Sequence, residues 1–232
     1  MKPWELIEKA RTVGGTEVTL HRRGDEWMVR CEGAVLMWSQ QHGSADVLAK
    51  LALRKLEAPR DVFVGGLGLG YTARAALDLL PRAGRLTVAE FTPAIAEWNR
   101  THVGHLAKRP LDDPRTTLFS GDAVAHIYAS KASYDALLLD IDNGPDAMVH
   151  ASNRGLYGDR GIAACFEALR PGGVLAVWSA APDARYLKRL ELAGFVASSS
   201  KVAAGGIHGG PRDVIFLGVR PVPKAPKKYH QR

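Results

Sequence analysis

Residues 62–80, Val-Phe-Val-Gly-Gly-Leu-Gly-Leu-Gly-Tyr-Thr-Ala-Arg-Ala-Ala-Leu-Asp-Leu-Leu, place four glycines in six positions between a short apolar run and an amphipathic stretch. Glycine gives up more backbone entropy on folding than any other residue, so such a cluster needs a backbone reason. The reading adopted here is that something flat approaches the main chain closely between a strand and the helix after it. A loop that serves only tight strand–helix packing is the plainer alternative.

On both sides of this loop the chain changes character. Downstream, strand candidates at Val62–Val64, Arg85–Glu90, Thr116–Phe119, Ala136–Asp140 and Val174–Trp178 alternate with helical stretches at 71–80, 93–107, 122–130 and 158–169. A helix at 183–193 and strands near 195–202 and 213–219 complete the series. Runs such as Leu137-Leu-Leu139 lack polar alternation, as parallel strands buried on both faces do. Strict alternation of strand and helix argues for a Rossmann-like α/β fold with a mostly parallel sheet flanked by helices. Upstream, residues 3–12 read as a short helix. Thr16–His21, Glu26–Cys31 and Ala34–Trp38 read as short strands around Gly-containing turns. Ser44 reads as the cap of a helix whose Val47, Leu48, Leu51 and Ala52 share one face. The expected organisation is a β appendage at 1–43, a catalytic domain at 44–220 and a basic disordered tail at 221–232.

Composition narrows the function classes. Of 232 residues, 46% are hydrophobic and 24% charged, as in an ordinary globular protein. No apolar run reaches the ~20 residues of a membrane span, and the charged opening segment lacks the apolar core of a secretion signal. The two cysteines, Cys31 and Cys165, sit in no metal-ligand or disulfide pattern. These features lead us to expect a cytoplasmic protein without a metal. The net charge of +7 is concentrated at one end: Arg220 to Arg232 holds five Lys/Arg and no acid, which leaves 26 basic against 24 acidic residues elsewhere. A nucleic-acid-binding face is therefore not implied.

In an open parallel sheet, ligands sit beyond the carboxyl ends of the strands, beside the first strand of the unit. Gly65, Gly66, Gly68 and Gly70 stand there with the spacing GxGxG. Tyr71 occupies the position that would complete a dinucleotide fingerprint, which counts against a pyrophosphate cofactor. An adenosyl sulfonium is the alternative. Glu90, ending the second strand, would accept from ribose hydroxyls. Asp122, ending the third with Ala123 beside it, would meet the adenine amino group. Asp122 reads equally as a helix N-cap, and Glu90 as the partner of a surface base.

The loop Asp140-Ile-Asp-Asn-Gly-Pro-Asp146 adds three carboxylates at the same end of the sheet. An amine must lose a proton before it attacks, and a nearby carboxylate can take it. Asp140 and Asp142 are the candidate catalytic groups. Asp146, Tyr157 and His42 are candidate acceptor-site residues; Asp142 and Asp146 also read as turn residues and Tyr157 as a helix anchor. Trp178 and Ser179 are candidates for the pocket wall. His208, in a glycine-rich turn, is a candidate lid residue.

Five segments taken together resemble the class I S-adenosylmethionine-dependent transferases, and more narrowly their spermidine synthase-like branch. They are VFVGGLGLGYTARAA (62–76), TVAEFTPAIAEWN (87–99), DDPRTTLFSGDA (112–123), YDALLLDIDNGP (134–145) and LRPGGVLAVWSA (169–180). The resemblance covers Ala34 to Arg220 and implies a seven-stranded sheet. It also implies S-adenosylmethionine or its decarboxylated form as donor, a small amine as acceptor, and a homodimer that uses the β appendage. By similarity, Glu90 matches the family's ribose-binding glutamate, Asp122 its adenine-contacting aspartate and Asp140 the aspartate proposed to take the amine's proton.

Departures accompany the match. Aminopropyltransferases carry an aspartate where this chain has Gly68, and Asp140-Ile-Asp-Asn143 replaces their strand-four motif. His42-Gly-Ser-Ala-Asp46 stands where they have a Tyr-Gln/His-Glu segment. The expected function is alkyl transfer of the aminopropyl type from a sulfonium to an amine. Methyl transfer to a small molecule and a non-catalytic nucleoside-binding module are the alternatives.

Overall fold

The computed structural model describes residues 2–141, 154–203 and 212–223. The expected tail lies outside these from Lys224 onward. Strands β1 (Glu5–Arg11), β2 (Glu17–Arg23), β3 (Glu26–Cys31) and β4 (Ala34–Trp38) form an antiparallel sheet in sequence order. The first of them corrects the helix expected at 3–12. The turn that follows decides the matter: Thr12 N–H donates to the Thr16 carbonyl at 2.8 Å, and Gly15 adopts φ +85°. This closes a hairpin and pairs the main chain of β1 with β2, so local helix propensity is overridden by cross-strand bonding.

Helix α1 (Gly43–Leu53) then leads into the alternating unit: β5 (Asp61–Gly65), α2 (Tyr71–Leu79), β6 (Arg85–Glu90), α3 (Pro93–Trp98), β7 (Thr116–Ser120), α4 (Ala123–Tyr128) and β8 (Tyr134–Leu139). It continues with α5 (Arg154–Tyr157), α6 (Asp159–Ala168), β9 (Leu169–Ser179), α7 (Ala184–Leu192), β10 (Val196–Ala203) and β11 (Arg212–Val219). The long helix expected at 93–107 is broken: α3 gives way at Asn99 to a π turn and then to a 3₁₀ turn. Ser44 does not cap α1. The cap position is His42, which makes no side-chain cap bond, and Ser44 lies inside the first turn.

The seven strands run in the order β10-β11-β9-β8-β5-β6-β7. Five are parallel, while β11 is antiparallel to β9 and β10 to β11. Leu137, Leu138 and Leu139 are all fully buried, because helices cover both faces of the sheet. One face packs against α1, α2 and the N-terminal sheet, where Leu20, Val29, Leu48, Ala76 and Leu138 join one apolar cluster. The other packs against α4, α6 and α7 through Phe63, Ile127, Ile162 and Leu190. Each fully buried leucine contributes about 1.5–3 kcal/mol. The N-terminal sheet thus shares the core of the larger one.

The amino ends of the parallel strands are tied by ions. Arg170 bonds Asp135 at 2.9 Å and Asp61 at 2.8 Å, and Arg85 bonds Asp61 at 2.7 Å. Asp135 also accepts the Arg60 and Asp61 N–H groups. Burial alone would raise the Asp135 pKa, but the two N–H groups and Arg170 outweigh it and hold the carboxyl below its ordinary value. A depressed folded-state pKa contributes stability above the unfolded value of about 4 that is lost as pH falls through the folded one. Asp135→Ala should cost about 2 kcal/mol near pH 7, the scale of lost charge-assisted hydrogen bonds. That cost should shrink in urea titrations below about pH 4. A cost independent of pH would assign the effect to packing.

Candidate active site

The glycine loop joins β5 to α2 at the carboxyl end of β5, which lies between its parallel neighbours β6 and β8. A Cβ on Gly66, whose φ is +87°, would lie 2.5 Å from the Asp140 carbonyl oxygen. Only glycine fits that backbone and that approach. Gly65 and Gly70 are packed against protein: their Cβ positions would meet Ile141 Cδ1 at 2.7 Å and Pro110 Cγ at 2.9 Å. Gly66 and Gly68 are the two that border the cavity beyond the strand ends. Asn99, which sequence reading left inside a helix, donates from Nδ2 to the Gly68 carbonyl at 2.8 Å and fixes the loop.

That cavity has a volume of about 470 Å³. Glu90 and Asp122 both border it, Ala123 beside them. Glu90 Oε2 accepts the Leu67 N–H at 3.1 Å and Oε1 the Thr92 N–H at 2.8 Å. Burial pushes the Glu90 pKa up; backbone N–H groups of Thr92, Leu67, Gly68 and Phe91 pull against it. Asp122 is the N-cap of α4. Its Oδ1 accepts the Val124 N–H at 2.8 Å and caps α4, and Oδ2 bonds no group among the described residues.

Asp140 follows the last residue of β8. Its Oδ2 accepts from the Thr72 hydroxyl, in the first turn of α2, at 2.5 Å. Burial raises its pKa, and the charge of Asp213 raises it further. Asp213 escaped the sequence reading because it stands at the start of the last expected strand, not at the end of a parallel one. The sheet register places it. Leu139 pairs with Val177, which sets Asp140 beside Trp178, and Trp178 pairs with Ile215 across β11. Asp213, two residues before Ile215, points to the same face. Trp178 Nε1 donates to Asp213 Oδ2 at 3.0 Å, and the nearby Ser44 hydroxyl favours its charged form. Burial raises the Asp213 pKa against these two groups.

His42 borders the cavity and stacks on Tyr71 with ring centroids 4.3 Å apart. The Tyr71 hydroxyl donates to the Ser39 carbonyl at 3.2 Å, and burial pushes its phenol up to about 12. Tyr157 is buried behind the wall and not among the bordering side chains: its hydroxyl donates to the Ile141 carbonyl at 2.9 Å, next to Asp140. Asp142, Asp146 and His208 lie outside the described residues. Trp178 borders the cavity, whereas the Ser179 hydroxyl turns back to the Ala181 carbonyl. Val35, Leu36, Met37 and Trp38 of β4 supply an apolar wall. The described lining holds four carboxylates, Glu90, Asp122, Asp140 and Asp213, and no lysine or arginine. Among the described residues, no group of three His, Cys, Asp or Glu side chains is placed to hold a metal ion.

In sequence and in fold the chain is similar to known proteins. Residues 41–190 match the family model described as the spermine/spermidine synthase domain. Putrescine N-methyltransferase 2 of Nicotiana tabacum is 29% identical over 133 residues, covering 56% of this chain and 35% of that protein. A polyamine aminopropyltransferase of Mycobacterium tuberculosis is 28% identical over 172 residues, covering 72% of this chain and 31% of that protein. The chain thus spans about a third of the length of these relatives. In fold, a spermidine synthase in complex with the transition state analogue AdoDATO superposes with a TM-score of 0.78 at 15% identity, over 98% of this chain and 80% of that one. The spermidine synthase of Thermotoga maritima gives 0.77 at 16%, over 98% and 79%. Since the family match takes in the glycine loop and every acidic strand tip except Asp213, the chain belongs to the spermine/spermidine synthase domain family.

Proposed function

We propose that the protein transfers an alkyl group, of the aminopropyl type, from a sulfonium nucleoside to an amine. One observation carries this: a cavity bordered by four carboxylates, with no lysine or arginine in its described lining. Such a lining favours cations, here a sulfonium and an ammonium. It also disfavours a donor with a carboxylate of its own, which supports the decarboxylated form of S-adenosylmethionine.

The residues fit the donor. Glu90 and the Asp122 Oδ2 are acceptors suited to ribose hydroxyls and an adenine amino group, and Gly66 and Gly68 keep the intervening surface bare. When bound, the donor supplies an electrophilic carbon and a thioether leaving group, so the protein need not create either. What the chain adds is position and proton transfer. Holding an amine in line with that carbon is worth roughly 7–11 kcal/mol of barrier. Asp140, oriented by Thr72, accepts a proton from the ammonium as the C–N bond forms and the C–S bond breaks.

Methyl transfer is the second reading. It is favoured by Gly68 where aminopropyltransferases carry an aspartate, with Met37 Sδ only 3.1 Å from the position of a Cβ there. The nucleoside product separates the two. Incubated with putrescine and each donor in turn, the purified protein should release 5′-methylthioadenosine from decarboxylated S-adenosylmethionine, read by mass spectrometry. S-adenosylhomocysteine from the intact donor instead would establish the methyl reading. Neither product across a panel of amines would leave a nucleoside-binding module.

A further inference from the structure

We propose that Asp213 is a second amine-binding carboxylate, which with Asp140 grips the N–H groups of a primary ammonium and thereby restricts the acceptor. The inference rests on the amine-transfer reading above and adds to it a residue and a substrate class.

Its basis is the row across three adjacent strand tips. Asp140 on β8, Trp178 on β9 and Asp213 on β11 all face the side of the sheet covered by α1, and all border one cavity. Asp213 is only 6% exposed. Its hydrogen-bond partner, the Trp178 indole, is a neutral donor fixed on β9, and the neutral Ser44 hydroxyl of α1 lies nearby. They set the direction of the carboxylate without cancelling its charge. An asparagine would serve Trp178 as well, so an anion here is excess to any structural need. Burying an uncompensated carboxylate is costly unless a cation arrives to meet it. The cavity is where one can arrive.

The stoichiometry of donors then selects the ligand. An ionised carboxylate offers about four acceptor sites. Asp140 uses one on Thr72, and Asp213 uses one on Trp178. A primary ammonium brings three N–H donors, enough for both acids. As Asp140 removes one proton, the nitrogen lone pair becomes free to form the C–N bond while the C–S bond breaks. The positive charge passes from sulfur to the product nitrogen, which keeps two N–H groups, and Asp213 remains ionised to hold them. A quaternary ammonium carries the same charge with no N–H and cannot be held this way.

The test is calorimetry on the intact protein saturated with 5′-methylthioadenosine, titrated with n-butylamine or butyltrimethylammonium. The wild type should bind n-butylamine at least about tenfold more tightly than the quaternary analogue, the scale of one charge-assisted hydrogen bond. Asp213→Asn should weaken n-butylamine by about tenfold or more and leave nucleoside affinity unchanged. Asp213→Glu should recover part of the loss. Unchanged n-butylamine affinity in Asp213→Asn, or equal binding of the two amines by the wild type, overturns the role of Asp213 and leaves amine transfer standing. Parallel loss of nucleoside and amine in Asp213→Asn marks a merely structural residue and also overturns it. A wild type that binds the nucleoside and no amine overturns both proposals.

Discussion

Asp140→Asn is expected to lower turnover by roughly 10²–10⁴-fold, the usual value of a positioned general base, and to make the protein more stable at neutral pH. The first half follows from geometry. The carboxylate is held at the ligand end of β8 by Thr72, and asparagine can keep that bond through its carbonyl but cannot take a proton. The second half follows from the direction of the pKa. Burial, reinforced by Asp213, raises the Asp140 value in the folded state, so between the unfolded and folded values the native protein binds more protons than the unfolded chain. Stability therefore falls as pH rises through that window. Removing the carboxyl removes the penalty. The midpoint of thermal unfolding should rise for the variant above the window, and the difference should fade as pH falls below about 4, where the wild-type group becomes protonated in both states. In the wild type, kcat/KM should fall with decreasing pH at a value above the ordinary carboxylate range. A variant with activity within tenfold of wild type would remove Asp140 from the chemistry. One with normal stability and lost activity would mean that the charge is already compensated in the free protein.

The same acid shows how far the residues spoke for themselves. Local order announced Asp140, Glu90 and Asp122, because each ends an apolar strand and precedes a helix or loop, which in a parallel sheet means the ligand end. Asp213 begins an antiparallel strand, so its end of β11 reaches the site only because the strand direction is reversed; no local pattern encodes that. Its value as a ligand depends on a register two strands removed. Ser44 fails in the same way. As a serine before an apolar-periodic stretch it reads as a cap, yet it lies inside the first turn with its hydroxyl near Asp213, a residue distant in sequence. Asn99 looked like an ordinary helical residue and proved to hold Gly68, with a π turn beginning at its own position. Residues 3–12 went wrong for a related reason: the bonds that make them a strand are supplied by β2. Patterns near in sequence reported the fold, and contacts made at long range completed the site.

The glycines that opened the question are separable by experiment, and Gly66→Ala should be far more damaging than Gly68→Ala. Both positions have positive φ, +87° and +55°, so an alanine at either carries roughly 1–2 kcal/mol of backbone strain. They differ in what the new methyl meets. At Gly68 it is Met37 Sδ at 3.1 Å, part of a flexible side chain able to turn aside. At Gly66 it is the Asp140 carbonyl oxygen at 2.5 Å, and the Asp140 N–H is itself bonded to the Gly65 carbonyl at 3.0 Å. Main chain held from both sides cannot yield without displacing the base. Gly66→Ala should therefore lose at least about 3 kcal/mol in urea unfolding, against about 1–2 kcal/mol for Gly68→Ala. The folded fraction of Gly66→Ala should also have reduced turnover, through a displaced Asp140, with nucleoside affinity less affected. Equal losses for the two variants would mean that conformation alone explains both glycines. A milder effect at Gly66 would show that β8 gives way easily, and with it the premise that Asp140 is rigidly placed for proton transfer.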